Sequence, residues 1–102
     1  VFFDLMYANK NGWRFDEHKQ YTFMRKYKNE LLFIIVNFDS QLVDVAINVP
    51  SHAFDFLQIP QMEKYQATDL LTGAKEEICL LPYKATEVSV GAYNGKILKI
   101  TF

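Results

Sequence analysis

Catalytic chemistry in this chain would have to come from a small set of side chains. The two histidines, His18 and His52, lie far apart in sequence, and neither belongs to a Ser/His/Asp or Cys/His pattern that would activate a nucleophile. A zinc site would need several His and Cys ligands at short spacing, whereas the chain has one cysteine, Cys79. Its apolar neighbours predict a buried, inert thiol. We therefore expect no catalytic residue and no metal site.

Paired carboxylates are the other common source of acid–base chemistry. Asp16-Glu17 and Glu76-Glu77 are adjacent in sequence. Adjacent side chains on a strand point to opposite faces, so neither pair would converge on one substrate. The four glycines form neither a G-x-G-x-x-G motif nor a P-loop. The sequence therefore predicts no nucleotide cofactor, and we expect no cofactor of another kind.

Two aromatic residues could instead bind carbohydrate by stacking on sugar rings. Trp13 lies in "NKNGWRFDE" and Tyr93 in "GAYNG", and both stretches have the composition of turns. An aromatic side chain in a turn can also pack over the edge of a core. Trp13 and Tyr93 are the candidate carbohydrate-binding residues, with core packing as the alternative for each.

The charge balance excludes some classes of partner. The chain has 11 basic and 12 acidic residues and a formal net charge of -1. That balance favours neither nucleic acid nor an anionic membrane. The densest basic cluster, Arg25, Lys26 and Lys28, is short and typical of a solvated strand edge. No apolar run approaches the ~20 residues of a membrane-spanning helix.

The sequence predicts that β-strands position the candidate residues. The 102 residues are enough for a single domain, residues 1–102. Turn signals recur at 9–12, 38–41, 71–73 and 93–95, separated by short β-branched and aromatic runs. This spacing predicts an all-β fold, a two-sheet antiparallel β-sandwich of seven or eight strands with Greek-key character.

Turn chemistry predicts how neighbouring strands connect. The "FDSQL" stretch is expected to join the third and fourth strands as an antiparallel hairpin, and "LTG" is expected to form another tight connection. Asn94-Gly95 is the strongest hairpin signal, because both residues tolerate positive φ.

The spacing of apolar residues differs between the fourth strand and the segment after it. Val43, Val45, Ile47 and Val49 alternate with Asp44, Ala46 and Asn48, which predicts a half-buried strand. Pro50 ends this strand. Ser51 is then the expected N-cap of a single short helical turn, which carries Ala53, Phe54 and Leu57 and is bounded by Pro60.

The third strand has too many apolar side chains for one core. Seven of the eight residues from Leu31 to Phe38 are apolar, so both faces of this strand would be apolar. The helical turn with Phe54 and Leu57 could cover the second face. A further domain could cover it instead, and the residues alone leave both explanations open.

The order of the segments resembles a known family. The segments are "FFDLMYAN", then "QYTFMRKYKNELLFIIVNFDSQLVDVAINVP", then "DLLTG" and the apolar strands that end the chain. Together they resemble the C-terminal β-sandwich domain of alpha-amylase-family glycoside hydrolases (family 13). The resemblance covers nearly the whole chain. It implies a non-catalytic accessory domain, with the catalytic (β/α)8 barrel as its partner and α-glucan as a further candidate ligand.

The catalytic residues of that family lie in the barrel, so none can be assigned here. A barrel of ~250 residues does not fit in this chain. The chain begins at Val1 without an initiator Met, so we expect a fragment, and the resemblance implies that it comes from a larger enzyme. Two other classes stay open, a carbohydrate-binding module for α-glucans and an unrelated immunoglobulin-like interaction domain.

Overall fold

Eight β-strands form from the short apolar and aromatic runs. The structure is a computed structural model, and it describes residues 1–10 and 12–102. The strands are β1 Phe2–Asp4, β2 Gln20–Tyr27, β3 Glu30–Asn37, β4 Val43–Ile47, β5 Met62–Asp69, β6 Lys75–Leu80, β7 Thr86–Val90 and β8 Asn94–Thr101. One α-helix, α1, spans Ser51–Leu57, and a 3₁₀ helix spans Met6–Asn9.

The strands form two antiparallel sheets. The large sheet has the order β1-β2-β3-β8-β5-β6, and the small sheet consists of β4 and β7. This arrangement confirms the predicted all-β, sandwich-like fold. The residue Asn11, part of the turn predicted at 9–12, lies outside the described residues.

The core lies between the two sheets. Fully buried side chains come from the large sheet, the small sheet, the helix and the segment before the 3₁₀ helix, and they include Phe33, Leu98, Val45, Ile47, Ala53 and Leu5. A two-stranded sheet is too narrow to cover six strands. The helix α1 therefore extends the cover, and its Phe54 and Leu57 join the same core cluster.

The alternation predicted for β4 is largely confirmed. Val45, Ile47 and Val49 are buried, and Asp44 and Asn48 are exposed. Val43 is only half-buried, because it lies at the start of the strand. Ala46 takes an outward position in the predicted alternation, yet it is buried. The chain at Arg14 runs beside β4 there, and its carbonyl accepts a hydrogen bond from Ala46 N at 3.1 Å.

The hairpin predicted at "FDSQL" is wrong. β3 pairs with β2 and β8 in the large sheet, whereas β4 pairs with β7 in the small sheet. The connection crosses between the sheets. The buried Asn37 favours this crossing, because its Nδ2 donates to Val90 O at 3.2 Å and Gly91 O at 3.1 Å. Its Oδ1 accepts a hydrogen bond from Asp39 N at 2.9 Å, which turns the chain away from β3.

Asn94-Gly95 does not form a hairpin turn either. These two residues begin β8 in the large sheet, and the preceding β7 belongs to the small sheet. The positive φ is found at Tyr93, at 49°. A turn is present just before Asn94-Gly95, but it connects β7 in the small sheet to β8 in the large sheet and does not join two paired strands.

The tight connection at "LTG" is confirmed. β5 and β6 are antiparallel neighbours, and Gly73 between them has a φ of 79°. A residue with a Cβ would be strained in that conformation. Asp69 stabilises the turn, because its carboxylate accepts hydrogen bonds from Leu71 N at 3.1 Å and from the Thr72 hydroxyl at 3.1 Å.

The helix is longer than predicted and begins differently. It has seven residues, about two turns. Pro50 occupies the N-cap position without a side-chain hydrogen bond, so Ser51 is the first helical residue and not the cap. The helix ends at Leu57, and the next residue, Gln58, caps it with a left-handed φ of 55°.

Candidate functional site

The two faces of β3 have different surroundings. Leu31, Phe33 and Ile35 point inward and are fully buried. Leu32 and Ile34 alternate with them, point outward and are only half-buried. The helix α1 belongs to the core cluster on the inner side, so the explanation in which it covers the second face is wrong. No helix or second sheet lies over the outer face among the residues that the structure describes.

Strand register extends the outward-facing side chains of β3 into one surface. Phe23 on β2 pairs with Ile34 on β3, and Ile34 pairs with Ile97 on β8. Directly paired residues on antiparallel strands present their side chains on the same face. We call this surface the outer apolar face, and its members are Phe2, Tyr21, Phe23, Leu32, Ile34, Val36 and Ile97.

Aromatic rings continue the outer apolar face to the edge of the sheet. The ring centroids of Phe2 and Phe23 are 5.1 Å apart, and those of Tyr21 and Phe23 are 5.6 Å apart. Phe2 is 51% exposed and Tyr21 is 40% exposed. Phe3 points the other way and packs against the core. The first segment therefore contributes Phe2 and not Phe3 to this surface.

Charged side chains lie beside the members of the outer apolar face. Lys99 Nζ and Glu30 Oε1 form an ion pair at 3.2 Å, and Arg25 lies on the same face between Phe2 and Leu32. A contiguous apolar surface with a polar rim is typical of a site where another protein surface packs.

Trp13 and Tyr93 are both exposed, at 69% and 74%. The Arg14 guanidinium lies 4.0 Å from the centroid of the Trp13 ring and pairs with Glu87, so one face of the indole is already occupied. Tyr93 lies in the β7–β8 connection, where its backbone N donates to Asp39 O at 3.0 Å. In the described part of the chain no ring contact joins Trp13 to Tyr93, and they do not form one platform.

A second aromatic cluster has no counterpart in the sequence predictions. Tyr7 Oη and His52 Nε2 are hydrogen-bonded, and Phe3 lies 5.5 Å from His52 and 5.7 Å from Phe56 between ring centroids. Burial raises the pKa of Tyr7, and the charge of Asp4 raises it further. The cluster links β1 and the 3₁₀ helix to α1. Residues 45 positions apart meet here, and no local pattern signals such a contact.

Glu76 and Glu77 diverge, whereas Asp16 and Glu17 lie in the loop before β2 and not on a strand. Glu76 pairs with Lys96, and the neighbouring Glu77 is exposed on the opposite face of β6. Asp16 Oδ1 accepts a hydrogen bond from His18 N at 2.9 Å, which closes a local turn. Within residues 1–10 and 12–102, no group of three or more His, Cys, Asp or Glu side chains could hold a metal ion.

Cys79 differs from the prediction of a buried thiol. It is half-exposed, because it takes the outward position between the buried Ile78 and Leu80 on β6. The helices of the described residues are all too short or too polar to cross a membrane.

The outer apolar face is the candidate functional site. Its half-buried aliphatic and exposed aromatic side chains lie side by side, and no other element of the described residues covers them. No protein-family model matches the chain, and no curated protein matches it either.

Proposed function

We propose that the chain is a non-catalytic accessory domain of an alpha-amylase-like glycoside hydrolase. It packs on the catalytic (β/α)8 barrel of its parent enzyme and stabilises it. The observation that carries this proposal is the outer apolar face, in which half-buried aliphatic side chains and exposed aromatic rings lie side by side. The ordered segments that resemble the C-terminal domain of that family support the choice of partner.

A barrel is a suitable partner on physical grounds. The face of a sheet is buried in folded proteins by helices or by another sheet. A (β/α)8 barrel carries a ring of helices on its outside. Burying the outer apolar face against such helices would contribute about 25 cal/mol for each Å² of apolar surface removed from water. A specific interface of ordinary size buries about 800 Å² on each partner.

The docking role is tested with one charge on the outer apolar face. The protein used is the longest natural chain that contains these residues, because docking needs the partner. Ile34→Asp places a carboxylate at the centre of the face, whereas Lys75→Asp places one on the same side of the large sheet at its far edge. We expect Ile34→Asp to split one calorimetric transition into two, and the control to keep a single transition.

Two results would contradict the proposal. One is an Ile34→Asp protein that unfolds like the Lys75→Asp control. The other is a coding sequence upstream of Val1 that contains no barrel strand motifs.

The absence of activity in the isolated chain is a separate test. Retaining glycosidases need two carboxyl groups about 5 Å apart across the scissile bond. Glu76 and Glu77 point to opposite faces, so they do not make such a pair. We expect the purified 102-residue chain to release no reducing sugar from starch. Reproducible release would refute the non-catalytic role.

A carbohydrate-binding module for α-glucans is the second candidate. The exposure of Trp13 and Tyr93 favours it, since a sugar platform needs accessible rings. The separation of the two rings and the position of Arg14 against Trp13 give it less support than the docking role has. An unrelated immunoglobulin-like interaction domain would also use an exposed apolar face, and the upstream coding sequence distinguishes it from the first proposal.

A further inference from the structure

Arg25 lies between two members of the outer apolar face. Arg25 pairs in register with Phe2 on one side and with Leu32 on the other, so the three side chains form one row across β1, β2 and β3. Side chains paired in this way have Cβ atoms about 5 Å apart. A partner that covers Phe2 and Leu32 therefore covers the Arg25 guanidinium as well.

Arg25 has no acidic partner of its own. The nearest acid across the hairpin, Glu30, pairs with Lys99 at 3.2 Å. Asp4 uses one carboxylate oxygen to accept a hydrogen bond from Met6 N at 2.8 Å. Within the part of the chain that the structure describes, no carboxylate lies within ion-pair distance of Arg25.

The surface beside Arg25 has room for a side chain from outside. An open depression of about 270 Å³ lies there, and its lining includes Arg25, Tyr27, Glu30 and Leu32. Lys26 also lines it. Since Glu30 is neutralised by Lys99, the charge left in the depression is positive.

We propose that the surface docking on the outer apolar face carries a carboxylate that pairs with Arg25. This inference rests on the proposed accessory function and specifies the chemistry of the partner. Covering an unpaired guanidinium removes it from water at a large cost in free energy, and a carboxylate opposite it offsets that cost. The planar guanidinium can take both carboxylate oxygens at once, so the pair also fixes the orientation of the domain on its partner.

Chemical cross-linking tests the pair directly. In the longest natural chain that contains these residues, Arg25→Lys places a primary amine at this position, which a carbodiimide joins to a contacting carboxylate. Peptide mass spectrometry then identifies the acid. Lys28, a native lysine exposed on the same hairpin, is the background control. We expect a cross-link from position 25 to an Asp or Glu outside residues 1–102, at a yield above that of Lys28.

The inference is overturned if position 25 joins only acids within residues 1–102, or if its yield does not exceed that of Lys28. Because a lysine is shorter than an arginine, a second measurement uses unfolding of the same chain. Arg25→Glu should lower the temperature of the single calorimetric unfolding transition more than Arg25→Gln and more than Lys28→Glu do, through repulsion between like charges. Equal shifts in the three variants would also overturn it.

The failure of this inference is distinguishable from failure of the proposed function. Ile34→Asp combined with Arg25→Lys should abolish the outside cross-link, because the two surfaces separate. If Ile34→Asp leaves docking unchanged, the accessory role itself is lost. If Ile34→Asp separates the surfaces while position 25 never joins an outside acid, the accessory role stands and the carboxylate partner does not exist.

Discussion

The inner and outer faces of β3 have nearly the same hydrophobicity in sequence but different surroundings in the structure. Leu31, Phe33 and Ile35 are fully buried by the small sheet and α1. Leu32 and Ile34, one residue away along the same strand, are only half-buried. One set of alternating side chains on this strand therefore forms the core, and the other set forms an apolar surface that is partly exposed to solvent.

The difference shows that apolar content alone does not define a core. A sandwich needs one apolar face from each sheet. β3 supplies two, and the second is surplus to the folding of the 102 residues. A contiguous exposed apolar surface is typical of a site where another surface packs.

Phe33→Ala and Ile34→Ala compare the two faces most directly. Phe33 is fully buried, so its truncation leaves a cavity and should cost about 3–5 kcal/mol of unfolding free energy. Ile34 is half-buried, so Ile34→Ala should lower the unfolding free energy by only about 1 kcal/mol. Urea denaturation of the 102-residue chain measures both losses of unfolding free energy. Each loss is obtained from the shift in the urea midpoint, with the dependence of the unfolding free energy on urea concentration unchanged. Equal costs for the two variants would show that the outer face also belongs to the core.

Asn37→Asp tests the polar end of the inner face. The Asn37 Nδ2 group donates to Val90 O and Gly91 O, and an aspartate oxygen there would face those carbonyls without a proton. We expect a loss of about 2–3 kcal/mol of unfolding free energy at neutral pH. Asn94→Asp is the matched control, because Asn94 pairs with Asn37 in register and is exposed. If Asn94→Asp lowers the unfolding free energy as much as Asn37→Asp does, the Asn37 amide does not have the role assigned to it.

Val45→Ala tests the small sheet that covers the inner face. Val45 is fully buried, and its truncation should cost about 1–3 kcal/mol of unfolding free energy. Val43 is half-buried on the same strand, so Val43→Ala should lower the unfolding free energy by less than Val45→Ala does. Thermal and urea unfolding of both variants provide the measurement. A neutral Val45→Ala would mean that the small sheet does not cover the core tightly.

Tyr65→Phe tests a buried hydroxyl on β5. Tyr65 Oη donates to Pro60 O at 2.6 Å, and losing this hydrogen bond should cost about 1 kcal/mol at neutral pH. Burial also raises the pKa of Tyr65 above its usual value of about 10. Because the folded state disfavours the phenolate, stability present below pH 10 is lost as pH rises through the folded pKa.

The pH dependence separates the two effects of Tyr65. Stability of the wild-type chain should fall as pH rises above about 10, and Tyr65→Phe should reduce that fall. Tyr83→Phe is the control, since its side chain is 79% exposed. An alkaline profile that is the same in all three proteins would show that burial of Tyr65 has no effect on its ionisation.

Trp13→Ala should have the smallest effect. Trp13 is exposed and contacts Arg14, so its removal should change the unfolding free energy by less than about 0.5 kcal/mol. We expect no saturable binding of maltooligosaccharides at millimolar concentration by either protein. Saturable binding that Trp13→Ala abolishes would instead favour the carbohydrate-binding module.

Local patterns in the sequence were sufficient for the elements and for part of their burial. The alternation of β4 predicted that Val45 and Ile47 are buried and that Asp44 is exposed, because side chains alternate along any strand. Gly73 predicted the β5–β6 turn, since glycine tolerates a positive φ. The seven apolar residues of 31–38 predicted a second apolar face on the third strand, because an unbroken apolar run places apolar side chains on both sides of a strand.

Contacts between residues far apart in sequence determine which sheet each strand joins and which face of β3 belongs to the core. The turn signals at "FDSQL" and Asn94-Gly95 specify a change of chain direction, and that change is equally compatible with a hairpin and with a crossing between sheets. Asn37 meets backbone groups 53 and 54 residues away, a contact that no local pattern encodes. The outer apolar face arises for the same physical reason: a strand with two apolar faces folds with whichever face its distant neighbours cover, and here α1 and the small sheet cover the inner one.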